Sequence, residues 1–177
     1  FIGGGGNWNI ISNQKSINDV FTAQWTVENQ NEPDQRIWKV KYGLVDTNKP
    51  IPEVNDGYLE YFLESLVKIS DFAYKNDCSN FGKCFENAIS TIESKGKTLF
   101  GYHKDLVPKC YRDQDINYIL DACQSAWVFG GMGSWNDIGF SGEIQQEYEL
   151  VSERLYSSLI NVIVNSVNEI RLTTAST

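Results

Sequence analysis

The first third of the chain alternates apolar and polar residues with a period of two, which predicts β-strands with one buried face. The apolar positions are Phe21, Ala23, Trp25 and Val27 in one segment and Trp38, Val40, Tyr42 and Leu44 in the next. The polar segment 29–35 between them predicts an antiparallel hairpin. A shorter strand around Trp8–Ile11 is expected to pair beside it, and Pro50 and Pro52 end the β region.

The remainder of the chain has the apolar spacing of helices. Helices are predicted over about residues 56–75, 80–94 and 142–172, and a further helix opens at Asp113 and includes Trp127. Asp56 is expected to cap the first helix, and Gly96 to end the second. Residues 99–111, with Pro108 and the single histidine His103, are predicted to be irregular. His103 is interpreted as a surface residue, because no flanking motif supports a catalytic pairing.

These elements predict an α+β fold in a single domain covering residues 1–177. Residues 1–55 are mainly β and residues 56–172 mainly α. We expect a small N-terminal antiparallel sheet packed on three to four helices. The last helix is the longest, and about 30 residues at ~1.5 Å per residue would span roughly 45 Å.

Composition and charge then limit the classes of binding partner that the chain can have. The chain has 177 residues, of which 41% are hydrophobic, and it carries a formal net charge of -8. A nucleic-acid backbone is a poor partner because it is also anionic, and no nucleic-acid partner is predicted; a basic protein partner, or simple solubility, suits this charge better. No apolar run approaches the ~20 residues that cross a bilayer, so no membrane partner is predicted.

Four cysteines, Cys78, Cys84, Cys110 and Cys123, form no CxxC pair. Two disulfides would suit a secreted protein, and free thiols a cytosolic one. Cys123 lies on the apolar face of a predicted helix, which favours the free thiol and a reduced, cytoplasmic protein. The cysteine spacing does not match structural zinc sites, and neither a metal nor a cofactor is predicted.

Residues 129–142 are the most informative segment of the chain. Five glycines fall in 14 residues between two predicted helices, with Trp135, Asn136 and Asp137 in the middle. Ordering so many glycines is entropically costly, so the loop is expected to have a defined shape. A phosphate site is rejected because the loop follows a helix, lacks a Walker lysine and is followed by acidic residues. The three central residues could instead be structural, with the indole covering helix ends and the polar side chains bracing the turn.

Residues 126–137, Ala-Trp-Val-Phe-Gly-Gly-Met-Gly-Ser-Trp-Asn-Asp, are followed by a long acidic helix. This combination resembles small cytosolic bacterial immunity-type proteins of polymorphic-toxin systems. The resemblance covers Tyr102 to Ile170. It implies a cognate toxin as partner and supplies no binding residues.

The leading hypothesis is therefore a non-enzymatic binding protein of immunity or inhibitor type, which neutralises a basic toxin by occlusion. The expected contact residues are Trp135, Asn136, Asp137, Glu143 and Glu147, because aromatic anchors flanked by acids make effective hot spots. One alternative is a small hydrolase with a carboxylate site in the 129–142 loop. Another is an extracellular carbohydrate-binding module, whose stacking residues would be Trp8, Trp25, Trp38 or Trp135. The long last helix could also serve a homodimer.

Overall fold

The structure, a computed structural model, describes residues 8–14, 17–33, 37–47, 50, 56–97 and 114–174. Within these residues the fold class is α+β, as predicted, with a three-stranded antiparallel sheet and four α-helices, of which the C-terminal one is the longest. Two compact units contain these elements. Of the described residues, those up to residue 50 form a sheet unit, and residues 56–97 and 114–174 form a helical unit.

The sheet unit consists of β1 (Asn9–Gln14), β2 (Ile17–Val27) and β3 (Trp38–Thr47) in the order β1-β2-β3. Both neighbouring pairs are antiparallel, so the predicted hairpin and the shorter strand beside it are confirmed. The register shifts beside Phe21, which faces Leu44 while Val20 faces Asp46. The shift leaves Val45 without a partner in β2, as in a β-bulge.

One face of this sheet, which we call the aromatic face, carries nearly all of its large apolar side chains. Residues opposite each other across strands share a face, as do residues two apart along one strand. The register therefore places on this face Ile10, Phe21, Ala23, Trp25, Val27, Trp38, Val40, Tyr42 and Leu44. The expectation that this face is buried is wrong for six of these residues, which are exposed: Ile10, Trp25, Val27, Trp38, Tyr42 and Leu44. A period of two predicts which side chains share a face, but not whether another layer covers them.

The helical unit contains α1 (Tyr58–Lys75), α2 (Ser79–Ser94), α3 (Gln114–Ala126) and α4 (Gly142–Thr174). These bounds agree with the predicted helices to within a few residues. Asp113 and the predicted irregular segment 99–111, which includes His103, lie outside the described residues.

The predicted helix boundary signals differ from the observed ones. Asp56 does not cap α1, because Gly57 occupies the N-cap position at φ 78° and no side chain caps the helix. The Gly57 carbonyl instead accepts a hydrogen bond from the Tyr61 amide at 3.1 Å. At the end of α2, Lys95 takes the left-handed conformation at φ 49°, and the Gly96 amide donates to the Thr91 carbonyl at 3.1 Å. The sequence thus predicted the helix ends more accurately than the residues that form them.

The core of the helical unit lies between the four helices. α1 packs against α2 and α4, α2 packs against α3, and α3 packs against α4. The fully buried side chains include Phe62, Leu66, Ile69, Phe85, Leu155, Leu159 and Val162. Arg154 ties α4 to α1 at the surface, with Nη2 2.8 Å from Glu64 Oε2 and its guanidinium 4.4 Å from the centre of the Tyr61 ring.

Three of the cysteines lie within the described residues, and all three are free thiols: Cys78, Cys84 and Cys123. Cys123 is fully buried in α3, and burial raises the pKa of its thiol far above the ordinary value. Cys110 lies outside the described residues. Among the helices that the structure describes, none combines the length and the apolar character needed to cross a membrane.

Candidate functional site

The glycine-rich segment forms a shaped loop between α3 and α4, interrupted by a 3₁₀ turn at Trp135–Asp137. Gly130 and Gly131 have φ angles of 84° and 88°, a region that other residues adopt only at a cost of roughly 1–2 kcal/mol. An added Cβ at either position would meet no atom within 4 Å. These two glycines are therefore required by the backbone conformation and not by a close neighbour.

Trp135 is the anchor of this loop, and its exposed fraction is 0%. Its ring packs edge-on against Phe81 and Phe85 of α2, with centroids 5.2 and 5.6 Å away. The indole Nε1 donates to Ser152 Oγ at 2.7 Å, and the Tyr148 hydroxyl donates to the Trp135 carbonyl at 2.7 Å. Burial at this position raises the pKa of the Tyr148 hydroxyl. Trp135 thus joins the loop to α2 and α4.

Asn136 and Asp137 brace the turn around this anchor. Asn136 Oδ1 accepts a hydrogen bond from the Gly130 amide at 3.0 Å. Asp137 Oδ2 accepts from the amides of Gly133 and Ser134 at 2.6 and 3.2 Å. Both side chains therefore satisfy backbone donors of the glycine segment, which is the structural interpretation that the sequence left open.

The predicted contact set consequently separates into two groups. The ring of Trp135 is inside the core, so no partner can reach it in this structure. Asn136 directs its amide oxygen, and Asp137 a carboxylate oxygen, toward the loop backbone. Among the described residues, no group of three or more His, Cys, Asp or Glu side chains could hold a metal ion. The side chains of Trp135, Asn136 and Asp137 therefore stabilise the conformation of the loop.

Glu143 and Glu147 form the second group, on the first turns of α4. They are four residues apart and therefore share one helix face, and both are exposed. Glu147 Oε2 lies 3.3 Å from Lys75 Nζ at the surface. Such exposed pairs contribute roughly 0–1 kcal/mol, so Glu147 remains available to another cation.

Sequence reasoning missed Leu150, which is 68% exposed on the same side of α4. Leu150 lies one helical turn beyond Glu147 and one turn before Glu153, which is also exposed. The available signal was that Leu150 lies outside the apolar spacing of Tyr148, Val151 and Leu155, which are wholly or partly buried. We call the surface formed by Glu143, Glu147, Leu150 and Glu153 the α4 outer face.

A shallow cleft of about 240 Å³ lies beside the loop. It is lined by Phe81 of α2 and by residues 127–134. Met132 stands at the loop tip with its side chain fully exposed. The cleft is smaller than the ~300–1,000 Å³ of typical small-molecule sites.

Comparison with known protein families, with curated proteins and with solved structures gave no match for this chain.

Proposed function

We propose that this chain is a non-enzymatic binding protein of immunity or inhibitor type, which covers a basic toxin through the α4 outer face. The observation that carries the proposal is an exposed leucine with an exposed glutamate one helical turn before it and another one turn after it on α4. Leu150 provides an apolar anchor, and Glu143, Glu147 and Glu153 provide an acidic rim. Apolar anchors inside polar rims are the usual arrangement of binding hot spots.

The acidic composition of the segment that includes the α4 outer face supports a basic partner. Residues 114–153 contain seven acidic residues and no lysine, arginine or histidine: Asp115, Asp121, Asp137, Glu143, Glu147, Glu149 and Glu153. The first cation after them, Arg154, is paired with Glu64. An excess of acidic residues attracts cationic partners and speeds their association, with an effect that weakens as salt rises, and Lys75 beside Glu147 offsets part of this excess.

The difference in net charge between the two units also supports a binding surface on the helical unit. The sheet unit, residues 5–53, has six acidic and five basic residues, so its net charge is -1. The rest of the chain has 17 acidic and ten basic residues, which gives -7. An inhibitor that works by electrostatic complementarity would therefore bind through the helical unit. The free thiols of Cys78, Cys84 and Cys123 are in keeping with a cytoplasmic inhibitor.

The glycine loop helps to fix the position of the helix that carries this surface. Ser152 and Tyr148 of α4 are both hydrogen-bonded to Trp135, whose ring packs on α2, so Trp135 links the first half of α4 to α2. A rigid presenting helix loses little conformational entropy when it binds.

The test is a capture from the source organism's lysate with three baits. The first is the wild-type chain, and the second carries Glu143→Lys, Glu147→Lys and Glu153→Lys. The third is a charge-matched control with Asp56→Lys, Glu60→Lys and Glu93→Lys, three exposed acids on or beside α1 and α2. We expect wild type and control to retain the same basic protein in stoichiometric amount, and the α4 variant to lose it.

Two results would contradict the proposal. Retention of the partner by the α4 variant would place the contact elsewhere, and loss from both variants would indicate a non-specific charge effect. With the purified partner, Leu150→Ala should weaken binding by about 1–3 kcal/mol, roughly 5- to 150-fold. An unchanged affinity would remove Leu150 as the anchor.

A further inference from the structure

The aromatic face of the sheet has no role in the α4 contact, yet it is an unusual surface. Trp25 is 62% exposed and Trp38 is 56% exposed, and Ile10, Val27, Tyr42 and Leu44 expose between 44% and 56%. The nine residues named on this face carry no charge, although the register also places Asp19, two residues before Phe21 and opposite Thr47, on the same face. A sheet with one apolar face is normally stabilised by a second layer packed on that face.

We propose that a second copy of this chain supplies that layer, so that two aromatic faces pack against each other in a symmetric homodimer. Stacked sheets pack about 10 Å apart, with strand directions within about 30° of each other. A two-fold axis through the face would bring the same surface patch of both copies together, with residue pairs repeated symmetrically across the contact. The contact would then be self-complementary without any change in the strands.

The area of the face is sufficient for such a dimer. The six side chains are two tryptophans, a tyrosine and three aliphatic residues, each roughly half exposed, and covering all of this exposed area would bury on the order of 600 Å² per copy. Two copies would bury about 1,200 Å² in total, which reaches the lower end of the ~1,200–2,000 Å² found for specific interfaces. The dimer should therefore be stable but of moderate affinity.

The shape of the aromatic face is also complementary to the same face of a second copy. Ala23 lies two residues from Trp25 on β2, and the register places Tyr42 directly opposite Ala23 on β3. The small side chain leaves a depression between larger ones. In a two-fold arrangement centred nearby, Trp25 of each copy would fill the depression at Ala23 of the other. Interdigitation of large and small residues is how two sheet layers pack.

Charge explains why a second copy would bind here and not along α4. Two chains of net charge -8 repel each other, but the sheet unit contributes only -1 to that total. The α4 outer face would place Glu143, Glu147 and Glu153 against the same residues of the other copy. The homodimer that the long helix suggested is therefore better placed on the sheet.

The test compares two variants that add one negative charge at neighbouring positions of β2. Trp25→Glu changes the aromatic face, and Gln24→Glu changes the opposite face, where Gln24 is paired with Lys41. Molar mass is measured by light scattering and sedimentation from about 1 μM to about 1 mM, a range that covers moderate and weak association. Far-UV circular dichroism confirms that each variant is folded.

Wild type and Gln24→Glu should show twice the 20.1 kDa mass of one chain at high concentration. Trp25→Glu should weaken dimerisation by about 30-fold or more, as expected for a central aromatic residue of an interface. Dilution of the wild-type protein should shift tryptophan emission to longer wavelength as the rings enter water. If Trp25→Glu fails to fold, Tyr42→Glu on the neighbouring strand replaces it.

A wild-type protein that stays monomeric throughout this range would overturn the proposal. In that case, emission from shielded tryptophans would indicate that the monomer itself covers the face. Emission from exposed tryptophans would favour the carbohydrate-binding interpretation of the sheet. A dimer that survives both Trp25→Glu and Tyr42→Glu would also overturn the proposal, because its contact would lie elsewhere.

Discussion

Replacement of Trp135 by alanine should destabilise the helical unit more than any change on its surface. The side chain is fully buried, and removal of a buried tryptophan costs about 3–5 kcal/mol through lost burial and the cavity left behind. The hydrogen bond from the indole to Ser152 contributes roughly 1 kcal/mol, and its loss leaves the Ser152 hydroxyl without that partner inside the core. We therefore expect a loss near the upper end of this range, about 4–5 kcal/mol.

Trp135→Phe separates the contribution of ring packing from that of the indole hydrogen bond. A phenyl ring preserves much of the edge-on packing with Phe81 and Phe85, but it cannot donate to Ser152. We expect a loss of about 2 kcal/mol, mainly from the unmade hydrogen bond and the smaller ring. A double mutant with Ser152→Ala should be less destabilised than the two single mutants added together, because the two side chains interact directly.

The assay is equilibrium urea unfolding followed by far-UV circular dichroism, which reports the helices. Leu150→Ala is the matched control, since truncation of an exposed residue usually changes the free energy of unfolding by less than about 0.5 kcal/mol. A loss of less than about 1 kcal/mol for Trp135→Ala would refute the reasoning, because an indole that leaves little cavity cannot be a fully packed anchor. Such a result would return Trp135 to the candidate contact surface.

Three further outcomes follow from the same contacts. Asp137→Asn should lower the free energy of unfolding by about 1–2 kcal/mol, because a charged acceptor of two amide hydrogen bonds is replaced by a neutral one. If the protein were a hydrolase that uses Asp137, the variant would instead lose turnover with an unchanged melting temperature. Gly131→Ala should cost about 1–2 kcal/mol in chemical unfolding because of its positive φ, and no loss would contradict the loop conformation. Because burial raises the pKa of Cys123 above its ordinary 9.0, its contribution to stability is complete below about pH 9 and declines as the pH rises further. Stability measured against pH should therefore fall less steeply above pH 9 in Cys123→Ala, and identical slopes would contradict a buried thiol.

The secondary structure was predictable because each element carries its own period. The alternation around Trp25 and Val40 specified the hairpin, and the spacing of Tyr148, Leu155 and Leu159 specified α4 without knowledge of any neighbour. These are local properties of the chain. The same patterns did not indicate whether another layer covers the aromatic face.

The candidate site was less predictable because its residues depend on distant parts of the chain. Trp135 is buried by Phe81 and Phe85, about 50 positions earlier in the sequence, and a loop aromatic has no period that reveals such partners. The choice between bracing and binding for Asp137 required the positions of the Gly133 and Ser134 amides. Leu150 could have been noticed as an apolar residue off the buried side of α4.

The central claim, inhibition of a basic toxin through the α4 outer face, is tested most directly by co-expression in cells. The gene of the captured partner is induced alone or together with the wild-type chain, the α4 charge-reversal variant or the charge-matched control. We predict that the partner alone arrests growth, and that wild type and control restore growth. The variant at Glu143, Glu147 and Glu153 should fail to restore it while being expressed and folded. A partner that is harmless alone, or full protection by the α4 variant, would contradict the account.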